Sequence, residues 1–157
     1  GTGFVNGMLA AVYSVANKRV LMIGSGGAAR AIAFSLADSG VAELSITNRT
    51  IVKADELANS VYKAYPDILV NSVDPDPRGY DIVLNTTSLG LKREDPLPIN
   101  PEALERHQLV AEIIMNPEDT PILLAAKSRG CKIHYGRPMF DHQVAIIASL
   151  FGYNFNI

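Results

Sequence analysis

Short apolar runs alternate with longer stretches of helical periodicity along nearly the whole chain. Val20-Leu21-Met22-Ile23, between Lys18-Arg19 and Gly24, is a continuous apolar run of the kind expected for a strand buried on both faces. Further strands are predicted over Glu43–Thr47, Asp67–Asn71, Tyr80–Asn85, Leu109–Ile114 and Cys131–Tyr135. Helices are predicted over Gly7–Ala16, Ala28–Ala37, Val52–Ala64, Thr120–Arg129 and Met139–Gly152. The Ala28–Ala37 segment is rich in alanine and meets a stop at Gly40; Thr120–Arg129 carries Pro121 in its first turn and Gly130 just past its end. The proline and glycine content of Asp74–Gly79 and Lys92–Pro101 marks both as loops.

This order predicts an α/β fold: a doubly wound, mainly parallel sheet of about six strands with helices on both faces. Such sheets bind ligands at the carboxyl ends of their strands. The candidate site therefore lies in four loops: Gly24–Gly27, Asn48–Lys53, Thr86–Gly90 and Asn116–Asp119.

The first loop carries chemistry. Gly24-Ser25-Gly26-Gly27-Ala28-Ala29 fits G-x-G-x-x-A between a strand and a helix. Gly24 permits a tight turn, Gly26 lets a pyrophosphate approach the backbone, and a small Ala29 lets helix and strand pack closely. The helix that follows turns free N–H groups and its positive dipole end toward phosphates. A plain tight strand-to-helix turn would use the same glycines; the strand–loop–helix context favours a Rossmann-type dinucleotide site.

The second loop selects the dinucleotide. NAD-binding domains place a carboxylate at the end of the second strand to hold the ribose 2′-hydroxyl. Here that strand ends in Asn48-Arg49-Thr50, with Lys53 one turn on and no carboxylate. Arg49 has the planar, permanently charged fork that suits a 2′-phosphate; Thr50 adds a hydroxyl and Lys53 a point charge. NADP is therefore the expected cofactor, the alternative being a solvated basic turn.

With these motifs in view, the chain resembles the shikimate dehydrogenase (shikimate/quinate 5-dehydrogenase) family over essentially its whole length. The resemblance is carried in order by Gly24–Ala29, Asn48–Lys53, Asn85–Leu91 (NTTSLGL), Glu112–Leu124 (EIIMNPEDTPILL) and Gly136–Gln143 (GRPMFDHQ). Gly1-Thr2-Gly3-Phe4 is similar to the end of the family's substrate domain. The resemblance implies pyrophosphate binding at Gly24, Ser25, Gly26, Gly27 and Ala28. It implies an adenosine-phosphate pocket at Asn48, Arg49, Thr50 and Lys53. Thr87 and Ser88 would pass near the cofactor's bridging region, and the backbones of Ile113 and Gly136 would border the nicotinamide. Gln143 would reach a substrate hydroxyl.

The implied activity is reversible hydride transfer between NADPH and 3-dehydroshikimate, in aromatic amino acid (chorismate) biosynthesis. The family's catalytic Lys and Asp belong to its substrate domain, so no catalytic residue is expected within this chain, and the chain alone is expected to be inactive. Residues 1–157 are expected to form one NADP-binding domain. Within it, 1–16 would link to an N-terminal substrate domain, and 136–157 would form a C-terminal helix packing back toward it. Two departures stand out: Glu112 replaces an Asp, and Met115 replaces a Tyr that approaches the substrate carboxylate. Thr86 for Ala and Phe140 for Leu are milder. Since a thioether donates no hydrogen bond, a relative acting on quinate or another cyclic hydroxy acid, or a non-catalytic NADP-binding module, stays open.

Composition bounds the rest. With 157 residues a single domain is expected. A net charge of −2 gives no basic excess for nucleic acid, and no apolar run approaches the roughly 18 residues of a membrane span. The chain has one cysteine, Cys131, and no histidine spaced to share a metal with it. A cytoplasmic protein with small-molecule ligands is expected, without nucleic-acid, membrane or metal partners.

Overall fold

A computed structural model describes residues 14–137. The predicted helix Met139–Gly152, Gln143 and most of Gly7–Ala16 lie outside the described residues; residues 14–16 are loop and turn.

The strands are β1 (Arg19–Ile23), β2 (Glu43–Thr47), β3 (Leu69–Ser72), β4 (Ile82–Asn85), β5 (Leu109–Glu112) and β6 (Lys132–His134). All pair in parallel, in the order β3-β2-β1-β4-β5-β6. This is the doubly wound order in which the chain reverses direction across the sheet between β1 and β4, the place where such folds bind ligands.

The apolar run of β1 faces both ways, as expected. Val20 and Met22 join a core with Leu44, Ile46, Ile82 and Leu84. That core is closed by α1 (Gly27–Asp38) and α2 (Ile51–Ala64), which contribute Ile32, Leu36, Leu57 and Val61. Leu21 and Ile23 point to the opposite face, onto Val83, Val110 and the buried side of α3 (Pro121–Ser128). Helices thus cover both faces, and the fold class is as read from the sequence.

The Gly40 stop operates as a Schellman motif. Gly40 N donates to Ala37 O, and Val41 N donates to Leu36 O, with Val41 and Leu36 in the same core.

Differences from the sequence reading lie at element ends and in one loop. Strand β3 runs Leu69–Ser72 instead of Asp67–Asn71 and is half-exposed at the sheet edge. Strand β5 stops at Glu112 instead of Ile114, because the Glu112 carboxylate takes the next two backbone N–H groups for itself. Within the predicted loop 92–101 and just beyond it, Pro101–Ala103 forms a 3₁₀ turn. Its cap is Asn100, whose side-chain oxygen accepts from Glu102 N at 3.0 Å.

Ile46, fully buried in β2, offers a direct test of this core. Ile46→Ala should cost about 2–5 kcal/mol. The shift in a urea unfolding midpoint measures it, and a change under about 1 kcal/mol would be incompatible with the packing described.

Candidate dinucleotide site

Three strand ends converge on Gly24. Its N–H donates to Thr47 O at the end of β2 (2.7 Å), and its φ of +113° is one that only glycine adopts without strain. A Cβ at Gly24 would come within 2.6 Å of Thr86 Oγ1. Thr86, just past β4, donates to Ile23 O from both its N–H (2.9 Å) and its hydroxyl (2.6 Å). The departure at Thr86 is therefore a hydroxyl used to tie the β4 loop to the end of β1.

Beyond this knot the backbone opens. No atom lies within 4 Å of a Cβ built on Gly26 or Gly27, and Gly26, Gly27 and Ala28 are exposed. Helix α1 begins here with Gly26 as its N-cap, no side-chain cap and no acidic residue in its first turn. Its first N–H groups and dipole end are thus left for a ligand anion.

Three cavities run in series along the carboxyl edge of the sheet. The first, about 240 Å³, is lined by Ser25, Gly26, Asn48, Arg49, Thr50 and Lys53. The second, about 520 Å³, shares Asn48 and Arg49 with the first and adds Ile23, Pro75, Leu97 and Pro98. The third, about 470 Å³, shares Thr87 and Ser88 with the second and adds Leu91, Ile113, Ile114 and Met115. Such an extended trough suits a long ligand.

The first cavity is electropositive. Arg49 and Lys53 are exposed, and their side chains make no hydrogen bond or ion pair among the described residues. By contrast Arg19, Arg78 and Lys127 are committed to Glu43, Asp76 and Asp119. Among the described residues no carboxylate lines this cavity. Thr50 caps α2 without a side-chain bond to the helix, leaving its hydroxyl available. Asn48 is partly spent, since its Nδ2 donates to Thr50 O at 2.9 Å and shapes the turn.

The third cavity has a different character. Among the described residues no charged one lines it, and Leu91 and Met115 present exposed apolar side chains to it. Thr87 lines it, but its hydroxyl is used internally: it donates to Asn85 Oδ1 (2.7 Å) and accepts from Leu89 N (3.1 Å). Ser88 is exposed. Gly136 lies against the backbone of the opposite wall. A Cβ there would meet Ile114 O at 2.4 Å and Ile113 C at 2.6 Å, so any side chain is excluded. The structure thus brings Ile113 and Gly136 together.

Behind this cavity lies Glu112, fully buried. Its Oε1 accepts from Ile113 N (2.8 Å) and Ile114 N (3.1 Å); its Oε2 accepts from Asn85 Nδ2 (2.9 Å) and Thr120 Oγ1 (3.1 Å). Burial pushes the carboxyl above its ordinary value, against the pull of those four hydrogen bonds. The network around Glu112 was not legible in the sequence, nor were the walls formed by Pro75, Leu97 and Pro98. Their only signal was proline content, which reads simply as loop.

The family model for shikimate/quinate 5-dehydrogenase matches residues 8–93. The chain belongs to the shikimate/quinate 5-dehydrogenase family. Among the relatives of this chain is the shikimate dehydrogenase (NADP(+)) of Bacillus cereus strain AH187. It is 37% identical over 150 residues, which cover 93% of this chain and 54% of the relative. A solved shikimate dehydrogenase in complex with NADP+ superposes with a TM-score of 0.90 at 29% identity, covering 99% of this chain and 56% of that one. The ligand-free 5-ketofructose reductase of Gluconobacter sp. strain CHM43 superposes at 0.88 with 34% identity, covering 99% and 58%. The chain spans about half the length of the curated relatives it matches. Among the described residues, no helix is long and apolar enough to cross a membrane.

His134 ends β6, two residues before Gly136, and is buried. Burial holds its pKa below the ordinary 6.5. A lowered histidine contributes stability that is present above the unfolded value and lost as pH falls through the folded one. The unfolding midpoint should therefore decline below about pH 6.5, and His134→Gln should flatten that slope. An equal slope in both proteins would show that His134 does not control it.

Proposed function

We propose that this chain is the cofactor-binding part of an NADP-dependent shikimate dehydrogenase that reversibly transfers a hydride between NADPH and 3-dehydroshikimate. The observation that carries the reading is the first cavity. Among the described residues, two unpaired cations, Arg49 and Lys53, face an uncapped helix start, with no carboxylate to hold a ribose 2′-hydroxyl.

NADP supplies the hydride acceptor or donor. Ser25, Gly26, Gly27 and Ala28 would hold its pyrophosphate on open backbone; Asn48, Arg49, Thr50 and Lys53 would hold the adenosine 2′-phosphate. Thr87 and Ser88 would flank the middle of the trough, with Ile113 and Gly136 framing its uncharged end. In oxidation of the alcohol, the carbinol hydrogen leaves as hydride and the hydroxyl proton passes to a base. That base is expected from a substrate domain beyond this chain, where Gln143 would also meet the substrate. Residues 1–157 would then form one domain packed against that substrate domain in a cytoplasmic enzyme. The 37% identity to an NADP(+)-dependent shikimate dehydrogenase supports the reading.

A second reading rests on Met115. A thioether accepts hydrogen bonds weakly and donates none, and a carboxylate buried against it would go uncompensated. The substrate could then be quinate, bound with its acid group elsewhere, or a neutral ketone. The 34% identity to a 5-ketofructose reductase favours the neutral ketone. Rates with shikimate, quinate and a neutral keto sugar separate these substrates.

Calorimetric titration with NADP+ and NAD+ tests the cofactor. NADP+ should bind more tightly, and Arg49→Ala should weaken NADP+ by roughly 10- to 150-fold, the worth of a charge-assisted hydrogen bond. Binding of NAD+ should stay nearly unchanged. Equal losses for both cofactors would refute the role given to Arg49.

A further inference from the structure

Both walls of the uncharged cavity hang from one buried carboxylate. On one side Glu112 Oε1 accepts from the backbone N–H groups of Ile113 and Ile114, which line the cavity. On the other, Glu112 Oε2 accepts from Asn85 Nδ2, which also donates to Leu89 O at 3.0 Å. Asn85 Oδ1 in turn accepts from the N–H (3.1 Å) and hydroxyl (2.7 Å) of Thr87, the opposite wall. Asn85 and Glu112 are direct partners in the β4–β5 register, so the link is the shortest the sheet allows. Thr120 completes the set. It stands at the N-cap of α3 yet makes no capping bond, and its hydroxyl goes to Glu112 instead.

Every one of these bonds asks Glu112 to accept. None of its partners among the described residues is a cation, so the carboxylate is buried for its four lone-pair contacts and not for charge pairing. Burying a carboxylate without a cation is costly. A core that needed only to be filled would be served by an apolar side chain.

We propose that Glu112, acting through Asn85, Ile113 and Ile114, is a positioning residue that sets the width of the cavity receiving the reacting end of the cofactor. This rests on the NADP reading above. Glu112 touches neither cofactor nor substrate; it fixes the loops that do.

The test separates the two ends of the trough. Adenosine 2′,5′-bisphosphate fills only the Arg49 end, whereas NADP+ extends into the cavity that Glu112 braces. In Glu112→Gln one accepting oxygen becomes an NH₂ facing Asn85 Nδ2, which cannot turn because its oxygen is held by Thr87. The affinity ratio of NADP+ to the bisphosphate should fall at least about fivefold in E112Q, with bisphosphate binding kept within about twofold. Thr120→Val removes one donor without loss of a cap and should lower the ratio about twofold. It decides the question if E112Q fails to fold. An unchanged ratio, or equal losses for both ligands, overturns the positioning role while leaving the NADP reading intact. Absence of binding by the unaltered protein to either ligand overturns both.

Discussion

The candidate site depends on a contact too tight to hold one extra carbon. Gly24 sits where β1, β2 and β4 release their chains, and Thr86 fills the place a Cβ would need. Thr86 is bonded twice to Ile23 O and Gly24 once to Thr47 O, which ties together the turns leaving three strands. All later geometry follows from this. Helix α1 starts where Gly24 aims it, and the Arg49 loop and the Thr87 loop face each other across the opening between them. A parallel sheet makes this possible, since its carboxyl ends all emerge on one side.

Along the trough the chemistry changes from charged to uncharged, and polar groups are handled differently at the two ends. Arg49 and Lys53 stay in water, where an unpaired cation costs little. Glu112 is removed from water completely and is satisfied by neutral donors. A ligand bridging both ends would meet point charges at one and a shaped wall without charge at the other. That division suits a cofactor whose phosphates give affinity and whose ring must be oriented.

Much of this was legible because the signals are local. The glycine loop, Arg49 and Lys53 are contiguous in sequence, and the free φ of Gly24 and the fork of Arg49 belong to those residue types. The β1 run was readable because a strand buried on both faces has no polar position to confuse. The rest depends on distant partners. Nothing near Glu112 in sequence says that Asn85 will stand beside it in register. Thr120 reads as the first residue of a helix, yet it stands at the N-cap and its hydroxyl is taken by Glu112. Gly136 looks like an ordinary strand-end glycine until the backbone of Ile113–Ile114 is seen against it. The wall at Pro75 depends on Gln108, which reaches from before β5 to donate to the carbonyl oxygens of Pro77 and Tyr80 in the loop ahead of β4.

The two end cavities share no lining residue. Changes at positions without common partners tend to add independently. A lineage can therefore drift in one recognition task while the other is held by selection, without a compensating change elsewhere in the domain. On the proposed reading, substitutions at Leu91 or Met115 would leave the cavity at Arg49 and Lys53 as it is, and substitutions at Arg49 would leave the uncharged cavity alone. A trough in separable segments makes the fold an easy one to diversify.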